Sequence, residues 1–265
     1  MGKGITLSKI TDSIPNEDSY FCNEDFVAIS DGAGGCGVFS DKWSNYIVNK
    51  LPVKSPIKNF RDFDKWFDSI CDNFYISYEE KAKKVDPMFL KKFYQEGSYA
   101  TIAAIWRVSG SECRYIAYGD SVIFHYNYDT KELKHSFTKL EDFSNPPYLV
   151  NYIEPLNETA FSAGSFPLNN SSIVFAATDS LSHYILMMYM LSHREHYADQ
   201  INDILNKKLP NSQLLSIALT QQINYNDIIN ELISSIDNEK IFETLIKRLY
   251  SQGIIDTDDY TIVVL

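Results

Sequence analysis

The chain contains 265 residues, of which 45% are hydrophobic and 14% aromatic. Such a chain can bury a substantial core within one large domain, and its composition argues against global disorder. The formal net charge of -11 argues against binding nucleic acid or an anionic membrane through a broad basic face.

The cysteines predict neither a disulfide framework nor a zinc site. The chain has four of them, and no two stand in a C-x-x-C pair. This pattern favours reduced thiols in a cytoplasmic protein. No signal peptide opens the sequence, and its most apolar helical stretch, 184–191, is too short to span a bilayer. We therefore predict a cytoplasmic protein with no membrane partner.

The first part of the chain predicts two strands followed by two helices. Residues 4–9 and 18–30 have the composition of strands. A helix is predicted after the glycine-rich segment, with Ser40 or Asp41 as its N-cap. A second amphipathic helix is predicted to begin near Asp62, because aromatic residues recur there at helical spacing.

Three strand-like runs follow, at 99–108, 113–118 and 122–128. Each is rich in the β-branched and aromatic residues that favour a pleated, half-buried surface. The short segment Gly119-Asp120-Ser121 separates the last two runs and has the residues of a tight turn. We predict that these two runs pair as a hairpin.

The second half of the chain combines an irregular segment with a helical one. Residues 139–170 are rich in Asn, Pro, Ser and Glu with little periodicity, and we predict a flap-like excursion there. A strand is predicted at 173–177, helices over most of 181–252, and a closing strand at 260–265.

No linker or repeat divides the sequence, so we predict one domain over residues 1–265. Neighbouring strands without intervening helices favour antiparallel sheets, and helices arriving in groups favour layers outside those sheets. The predicted fold is α+β: a central antiparallel β-sandwich flanked by helices on both outer faces, in four αββα layers.

Acidic residues stand at the ends of several predicted elements. Asp31 directly follows the strand 26–30, and Asp179 follows the strand 173–177 with one residue between. A strand end holds a carboxylate on a rigid element, and oxygen-only ligands suit Mg²⁺ or Mn²⁺ and phosphate chemistry. The acids in such positions are Glu17, Asp31, Asp120, Asp179 and Asp258.

The motifs around these acids resemble those of the metal-dependent protein phosphatases of type 2C, the PPM family, and they occur in the same order. The resemblance spans nearly the whole chain and is to bacterial members. The matching segments are Asn16-Glu17-Asp18-Ser19, Asp31-Gly32-Ala33-Gly34-Gly35, Gly97-Ser98-Tyr99-Ala100-Thr101, Gly119-Asp120-Ser121, Ala177-Thr178-Asp179-Ser180 and Asp258-Asp259-Tyr260-Thr261.

The resemblance implies a serine/threonine phosphatase that hydrolyses phosphomonoesters by attack of a hydroxide bridging two Mn²⁺ or Mg²⁺ ions. Asp31 would bridge the ions. Glu17 and the carbonyl of Gly32 would hold one ion, and Asp179 and Asp258 would hold the other. A divalent pair would neutralise the phosphate and lower the pKa of the bridging water.

The resemblance also assigns the remaining acids. Asp120 would match the third, loosely held metal site of bacterial members, and Asp18 would orient a metal-bound water and so assist Asp31 in catalysis. Thr261 sets the register of the last motif, so Asp258 is the ligand and Asp259 stands where the family usually has Asn. Successive strand residues point to opposite faces, so both are not expected to reach the metals.

The chain departs from the family pattern where the substrate phosphate is held. Bacterial members usually carry an Arg at the position of Ser13, and the nearest upstream cation here is Lys9. A lysine supplies a point charge but not the bidentate fork of arginine. Lys9 is therefore our candidate substrate-binding residue. Ala33 replaces the His of animal-type members, so the leaving group would need another proton donor.

Two alternatives to a protein phosphatase stay open at this point. One is a non-catalytic relative that binds phosphoproteins, and the other is a small-molecule phosphatase with the same metals. Sequence does not separate them, because the chemistry is shared and specificity lies in loops. For the leading hypothesis, the expected partners are a phosphorylated protein and a cognate kinase, with the chain itself a monomer.

Overall fold

The computed structural model describes residues 1–10 and 15–265, so the predicted role of position 13 lies outside the described residues. The strands are β1 (Lys3–Leu7), β2 (Ser19–Cys22), β3 (Phe26–Ser30), β4 (Gly32–Gly37), β5 (Ser98–Ala100), β6 (Ile102–Ser109), β7 (Glu112–Tyr118), β8 (Val122–Asn127), β9 (Glu132–His135), β10 (Val150–Asn151), β11 (Phe161–Pro167), β12 (Ser172–Ala177) and β13 (Tyr260–Val264). The α-helices are α1 (Ser40–Lys50), α2 (Phe60–Ala82), α3 (Pro87–Gln95), α4 (Asp179–Ser192), α5 (Ala198–Lys207), α6 (Ser212–Ala218), α7 (Tyr225–Ser235) and α8 (Glu239–Ser251).

Two five-stranded sheets form the centre of the molecule. The first has the order β1-β13-β12-β8-β9, and the second has the order β11-β7-β6-β3-β2. A third sheet of three strands, β10-β5-β4, lies beside them. The paired strands run antiparallel throughout these sheets. The predicted antiparallel architecture is therefore confirmed.

The strand β3 shows why the sheets stack as a sandwich. Its residues are buried on both faces, because successive side chains point to opposite sides. Val27 and Ile29 pack into the layer between the sheets, together with Val263 of β13. Phe26 and Ala28 face outward and pack against helices.

Helices cover both outer faces of the sandwich. The aromatic stripe of α2, with Phe63, Phe67 and Phe74, packs with α1 against the second sheet. Helices α4 to α8 cover the first sheet, and this layer matches the helical segment predicted at 181–252. The α4 helix is the centre of that layer, with 11 of its 14 residues buried. The four-layer αββα prediction is confirmed.

The predicted hairpin between the second and third strand-like runs is wrong. β7 pairs with β6 and β11, whereas β8 pairs with β9 and β12, so the two strands belong to different sheets. The segment 119–121 carries the chain across the sandwich, and Gly119 has a φ of +94° there. The segment has the residues of a turn, but turn composition does not determine which sheet the chain enters next.

Other local differences concern loops and helix starts. The segment predicted as an irregular excursion contains β11, which pairs with β7 along its whole length, and so it is irregular only in part. The α3 helix was missed, although Asp86 as N-cap and Pro87 at the first position are a helix-start signal. Phe39, in a left-handed conformation, precedes α1, so neither Ser40 nor Asp41 is the N-cap.

Candidate metal centre

Four of the predicted acids lie at the ends of strands from the two central sheets. Asp31 lies between β3 and β4, while Asp179 is the first residue of α4, with Thr178 between it and β12. Asp258 precedes β13, and Asp120 lies at the crossing between β7 and β8. The backbone of Thr178 hydrogen-bonds to that of Thr261 at 3.0 Å, which ties the end of β12 to the start of β13. The fold therefore collects these acids at one end of the sandwich.

The charges of these carboxylates act on one another. Burial raises the pKa of Asp31 well above its usual value, and the negative charges of Asp18, Asp179, Asp120 and Asp258 raise it further. Burial is likewise the largest cause of the raised pKa of Asp179, followed by the charges of Asp120, Asp258 and Asp18. Burial also raises the pKa of Asp120 to about 6, with a contribution from Asp258. The acids thus repel one another in a poorly solvated site.

Thr101 holds the Asp31 turn in place. Its backbone N–H donates to the Asp31 carbonyl at 2.8 Å, and its hydroxyl accepts from the Asp31 N–H at 3.1 Å. The same hydroxyl lies 2.6 Å from the hydroxyl of Ser121, the residue after Asp120. Thr101 therefore links the two acidic turns. The motif of Thr101 is one of the matching segments, but the sequence predicted no role for this residue.

Asp18 is buried behind the other acids. One carboxylate oxygen, Oδ2, accepts a 2.9 Å hydrogen bond from the Thr178 hydroxyl. That hydroxyl in turn accepts from the Thr261 N–H at 3.1 Å. The second oxygen, Oδ1, is buried and has no hydrogen-bond partner within the described residues. Burial raises the pKa of Asp18 to about 7, because a charged carboxylate is poorly solvated there.

Glu17 lies against the glycine-rich strand β4. Its Oε1 accepts a 2.5 Å hydrogen bond from the Ser40 hydroxyl, and its carbonyl accepts from the Gly32 N–H at 3.1 Å. A Cβ added at Gly34 would overlap both carboxylate oxygens. Glycine at this position is therefore required by the close approach of Glu17. Ser40, expected as a helix cap, instead orients this acid.

The two neighbouring aspartates before β13 have different partners. The Asp259 carboxylate accepts from the Lys9 N–H at 2.9 Å and from the Glu17 N–H at 2.7 Å. The Asp259 carboxylate therefore binds the backbone at Lys9 and at Glu17. The Asp258 Oδ1 instead lies 2.9 Å from the Lys9 ammonium. Burial alone would lower the pKa of Lys9, but the hydrogen bond and charge of Asp258 outweigh burial and raise it.

The acids do not converge into a ready ligand group in this arrangement. Across residues 1–10 and 15–265, no set of three or more His, Cys, Asp or Glu side chains is grouped closely enough to hold a metal ion. The charges of Asp18, Asp120, Asp179 and Asp258 nevertheless reach Asp31. The charges that act most strongly on the pKa of Glu17 are those of Lys9, Asp259 and Asp41.

A cavity of about 430 Å³ opens beside Asp120. Its walls come from the β7–β8 crossing, from 136–138, and from 142, 145–148 and 159–162 of the flap-like segment. The Tyr148 carbonyl would lie 2.9 Å from a Cβ added at Gly119, so the segment packs directly on the crossing.

The described residues include no helix that is long and apolar enough to cross a membrane.

Comparison with solved structures places the whole chain beside bacterial phosphatases. The catalytic domain of the serine/threonine phosphatase PstP, in complex with two manganese ions, superposes with a TM-score of 0.56 at 13% identity, covering 100% of this chain and 96% of that one. Stp1 from Staphylococcus aureus gives 0.53 at 12%, covering 99% and 93%. PppA, a regulatory component of the type VI secretion system in Pseudomonas aeruginosa, gives 0.53 at 14%, covering 100% and 96%.

This is the fold of the PPM-type serine/threonine phosphatases. No family model and no curated protein sequence matches the chain. The PPM fold therefore persists here at a sequence identity too low to carry individual residue roles across. What the comparison shows is the fold, an arrangement of sheets and helices that spans the whole chain.

Proposed function

We propose that the chain is a Mn²⁺- or Mg²⁺-dependent phosphatase that acts on phosphoserine or phosphothreonine in proteins. The observation that carries the proposal is the mutual repulsion of Asp31, Asp179, Asp120 and Asp18, acids of which three are half-buried and Asp18 is fully buried. Mutually repelling carboxylates in a poorly solvated place are costly to a fold, and they are typical of functional sites.

The residues present fit divalent cations. The donors are carboxylate oxygens, which suit hard ions such as Mn²⁺ and Mg²⁺. The buried Asp18 Oδ1 lacks a partner among the described residues. A bound cation would offset the cost of this unpartnered oxygen and the repulsion between the acids around Asp31. When bound, the cations would neutralise a phosphate dianion and lower the pKa of a water molecule.

Asp31 is the acid that would contact both cations. Glu17 and the Gly32 carbonyl would hold one of them, and Asp179 and Asp258 would hold the other. Asp120 would serve a third ion. Asp18, fixed by the Thr178 hydroxyl, would accept a hydrogen bond from the attacking water and orient it.

Lys9 supports binding of the substrate phosphate. Its ammonium lies 2.9 Å from Asp258, at the edge of the acidic site, and its backbone is fixed by Asp259. A phosphate oxygen could replace Asp258 as the partner of this ammonium. A single point charge would orient phosphate less strictly than arginine does. We therefore expect weak phosphate affinity and a correspondingly high KM.

The test is release of phosphate from p-nitrophenyl phosphate and from phosphoserine peptides with Mn²⁺. We expect turnover that disappears in Asp31→Asn and persists in Asp203→Asn. The control aspartate lies on the surface of α5, with Lys207 as its ion-pair partner. Absence of turnover by the unmodified protein on both substrates would reject the proposal, and equal activity of Asp31→Asn would reject the ligand assignment.

One observation favours a second candidate function, a non-catalytic phosphoprotein-binding relative. Asp258 is ion-paired with Lys9, and no three acidic side chains of the described residues are grouped closely enough to hold a metal ion. Such an ion pair is one way to keep a PPM-type site closed to metal. Titration calorimetry with Mn²⁺ separates the two. Tight metal binding with turnover supports the phosphatase, whereas phosphopeptide binding without metal uptake supports the alternative.

Other expectations accompany the proposal. The sequence favours a cytoplasmic monomer with a cognate kinase as its partner. A small-molecule phosphatase with the same metals would show higher turnover on a phosphorylated metabolite than on phosphopeptides. Comparing kcat/KM on both classes of substrate distinguishes that case.

A further inference from the structure

Ring contacts fix two of the walls of the cavity beside Asp120. Phe161 on one wall stacks on Phe63 of α2 with ring centroids 5.1 Å apart. Phe137 on another wall packs against Phe143 at 4.4 Å. These contacts hold two aromatic walls in place. The volume of about 430 Å³ lies within the range of ligand pockets in proteins.

The lining combines aromatic surface with negative charge. Phe137, Tyr148 and Phe161 are among the lining residues, and the charged residues among the described lining are Asp120 and Asp142. Tyr148 is 56% exposed, which is high for an aromatic side chain at a cavity wall. Asp142 accepts a hydrogen bond from the Thr138 hydroxyl, and an ionised carboxylate can accept several more.

Aromatic faces beside a carboxylate suit a guanidinium group. A planar guanidinium stacks on aromatic rings and forms hydrogen bonds with carboxylates, and its aliphatic stem packs on apolar walls. Asp120 belongs both to this cavity and to the acidic site, so a substrate with phosphate at the acids can reach the cavity with a nearby side chain. The overall charge of -11 also repels phosphopeptides unless they carry basic residues.

We propose that this cavity binds an arginine side chain close to the phosphorylated residue of the substrate, with Asp142 as the carboxylate that selects it. The proposal rests on the proposed phosphatase function and names its substrate class: phosphoproteins with arginine near the phosphoserine or phosphothreonine. Asp142 would act in substrate selection and would not touch the reacting atoms.

The test uses phosphoserine peptides in pairs. In each pair, one peptide carries a single arginine at a given position near the phosphoserine, and its partner carries norleucine there. We expect at least one arginine position to raise kcat/KM, and affinity measured by fluorescence anisotropy, by on the order of tenfold. Asp142→Asn should reduce that preference to about twofold while keeping an acceptor for Thr138.

The matched control is Glu141→Gln, which removes the same charge one residue away. Glu141 is ion-paired with Lys139 and is not among the cavity-lining residues, so its variant should keep the arginine preference. Expressing each result as the ratio within a peptide pair removes any general loss of activity from the comparison.

The outcomes separate this proposal from the phosphatase proposal. Equal affinity and kcat/KM within every peptide pair would overturn the arginine site, even if all peptides were hydrolysed. A preference that survives in Asp142→Asn would also overturn it. Selective binding of an arginine peptide without any turnover, lost in Asp142→Asn, would support the cavity and reject the phosphatase.

Discussion

The Thr178 hydroxyl donates a 2.9 Å hydrogen bond to the buried carboxylate of Asp18, a residue 160 positions earlier in the chain. The same hydroxyl accepts from the backbone N–H of Thr261. One side chain therefore joins the ends of β12 and β13 to the loop before β2. The acidic site depends on this connection, because its members come from distant parts of the sequence.

Replacing Thr178 with valine should destabilise the protein. The change leaves the Asp18 carboxylate and the Thr261 N–H without this partner, and an unpaired buried polar group costs about 1–3 kcal/mol. Urea unfolding should show this loss for Thr178→Val and a smaller one for Thr178→Ser, which keeps the hydroxyl. Equal stability of the valine and serine variants would contradict the role given to the hydroxyl.

Adjacent glycines in β4 should respond differently to alanine. A Cβ at Gly34 would overlap the Glu17 carboxylate, whereas a Cβ at Gly35 would meet nothing within 4 Å. Gly34→Ala must displace Glu17, so we expect Mn²⁺ affinity, measured by calorimetry, to fall by roughly tenfold. Gly35→Ala should bind Mn²⁺ as the unmodified chain does. Similar losses in both variants would mean that Glu17 is not the cause.

Removing the charge of Asp31 should have opposite effects on stability with and without metal. In EDTA at pH 7–8, Asp31→Asn should be more stable by on the order of 1 kcal/mol, because poor solvation and neighbouring like charges raise the pKa of the Asp31 carboxylate. With excess Mn²⁺ the order should reverse, since only the unmodified protein gains the full binding energy. Thermal unfolding in the two buffers measures both.

If Asp31→Asn were less stable than the unmodified chain in EDTA, the carboxylate would not be under electrostatic strain. If Mn²⁺ raised the melting temperature of both proteins equally, Asp31 would not be a ligand. The surface variant Asp203→Asn provides the control, because it should change neither the stability in EDTA nor the rise in melting temperature with Mn²⁺.

His183 should make the fold sensitive to acid. The imidazole is buried in α4, edge-on to Phe143, and burial lowers its pKa from 6.5 to about 4. The folded state binds the proton more weakly than the unfolded state, so His183 does not lower the free energy of unfolding above pH 6.5. As pH falls from 6.5 to 4, the free energy of unfolding decreases by about 3 kcal/mol.

Replacing His183 with an uncharged residue of similar size, such as glutamine, should flatten this part of the stability–pH profile. His196→Gln, at an exposed position, is the matched control and should leave the profile unchanged. A profile between pH 6.5 and 4 that is unaffected by His183→Gln would assign the acid sensitivity to other groups.

Much of the architecture was determined by local pattern. Apolar runs ending in Asp31 and Asp179 are strands that deliver these acids to one end of the sandwich, and the apolar periodicity of 181–252 is the helical layer. Such patterns are readable because burial on one face imposes a period of two on strands and about 3.6 on helices. Turn and cap residues also reported where elements end, as with Gly253, which follows α8 with a φ of +68°.

Only the tertiary structure decided which strands pair and which side chains contact each other. Sequence predicted that the strands on either side of Asp120 pair with each other, but they enter different sheets. It placed Ser40 at a helix cap, whereas its hydroxyl binds Glu17, and it did not foresee the ion pair of Lys9 with Asp258. Local periodicity records that a side chain is buried or polar, but not which distant residue it meets. By itself, then, the sequence determined which residues could form the site, and only the packing of distant strands and loops decided which of them meet.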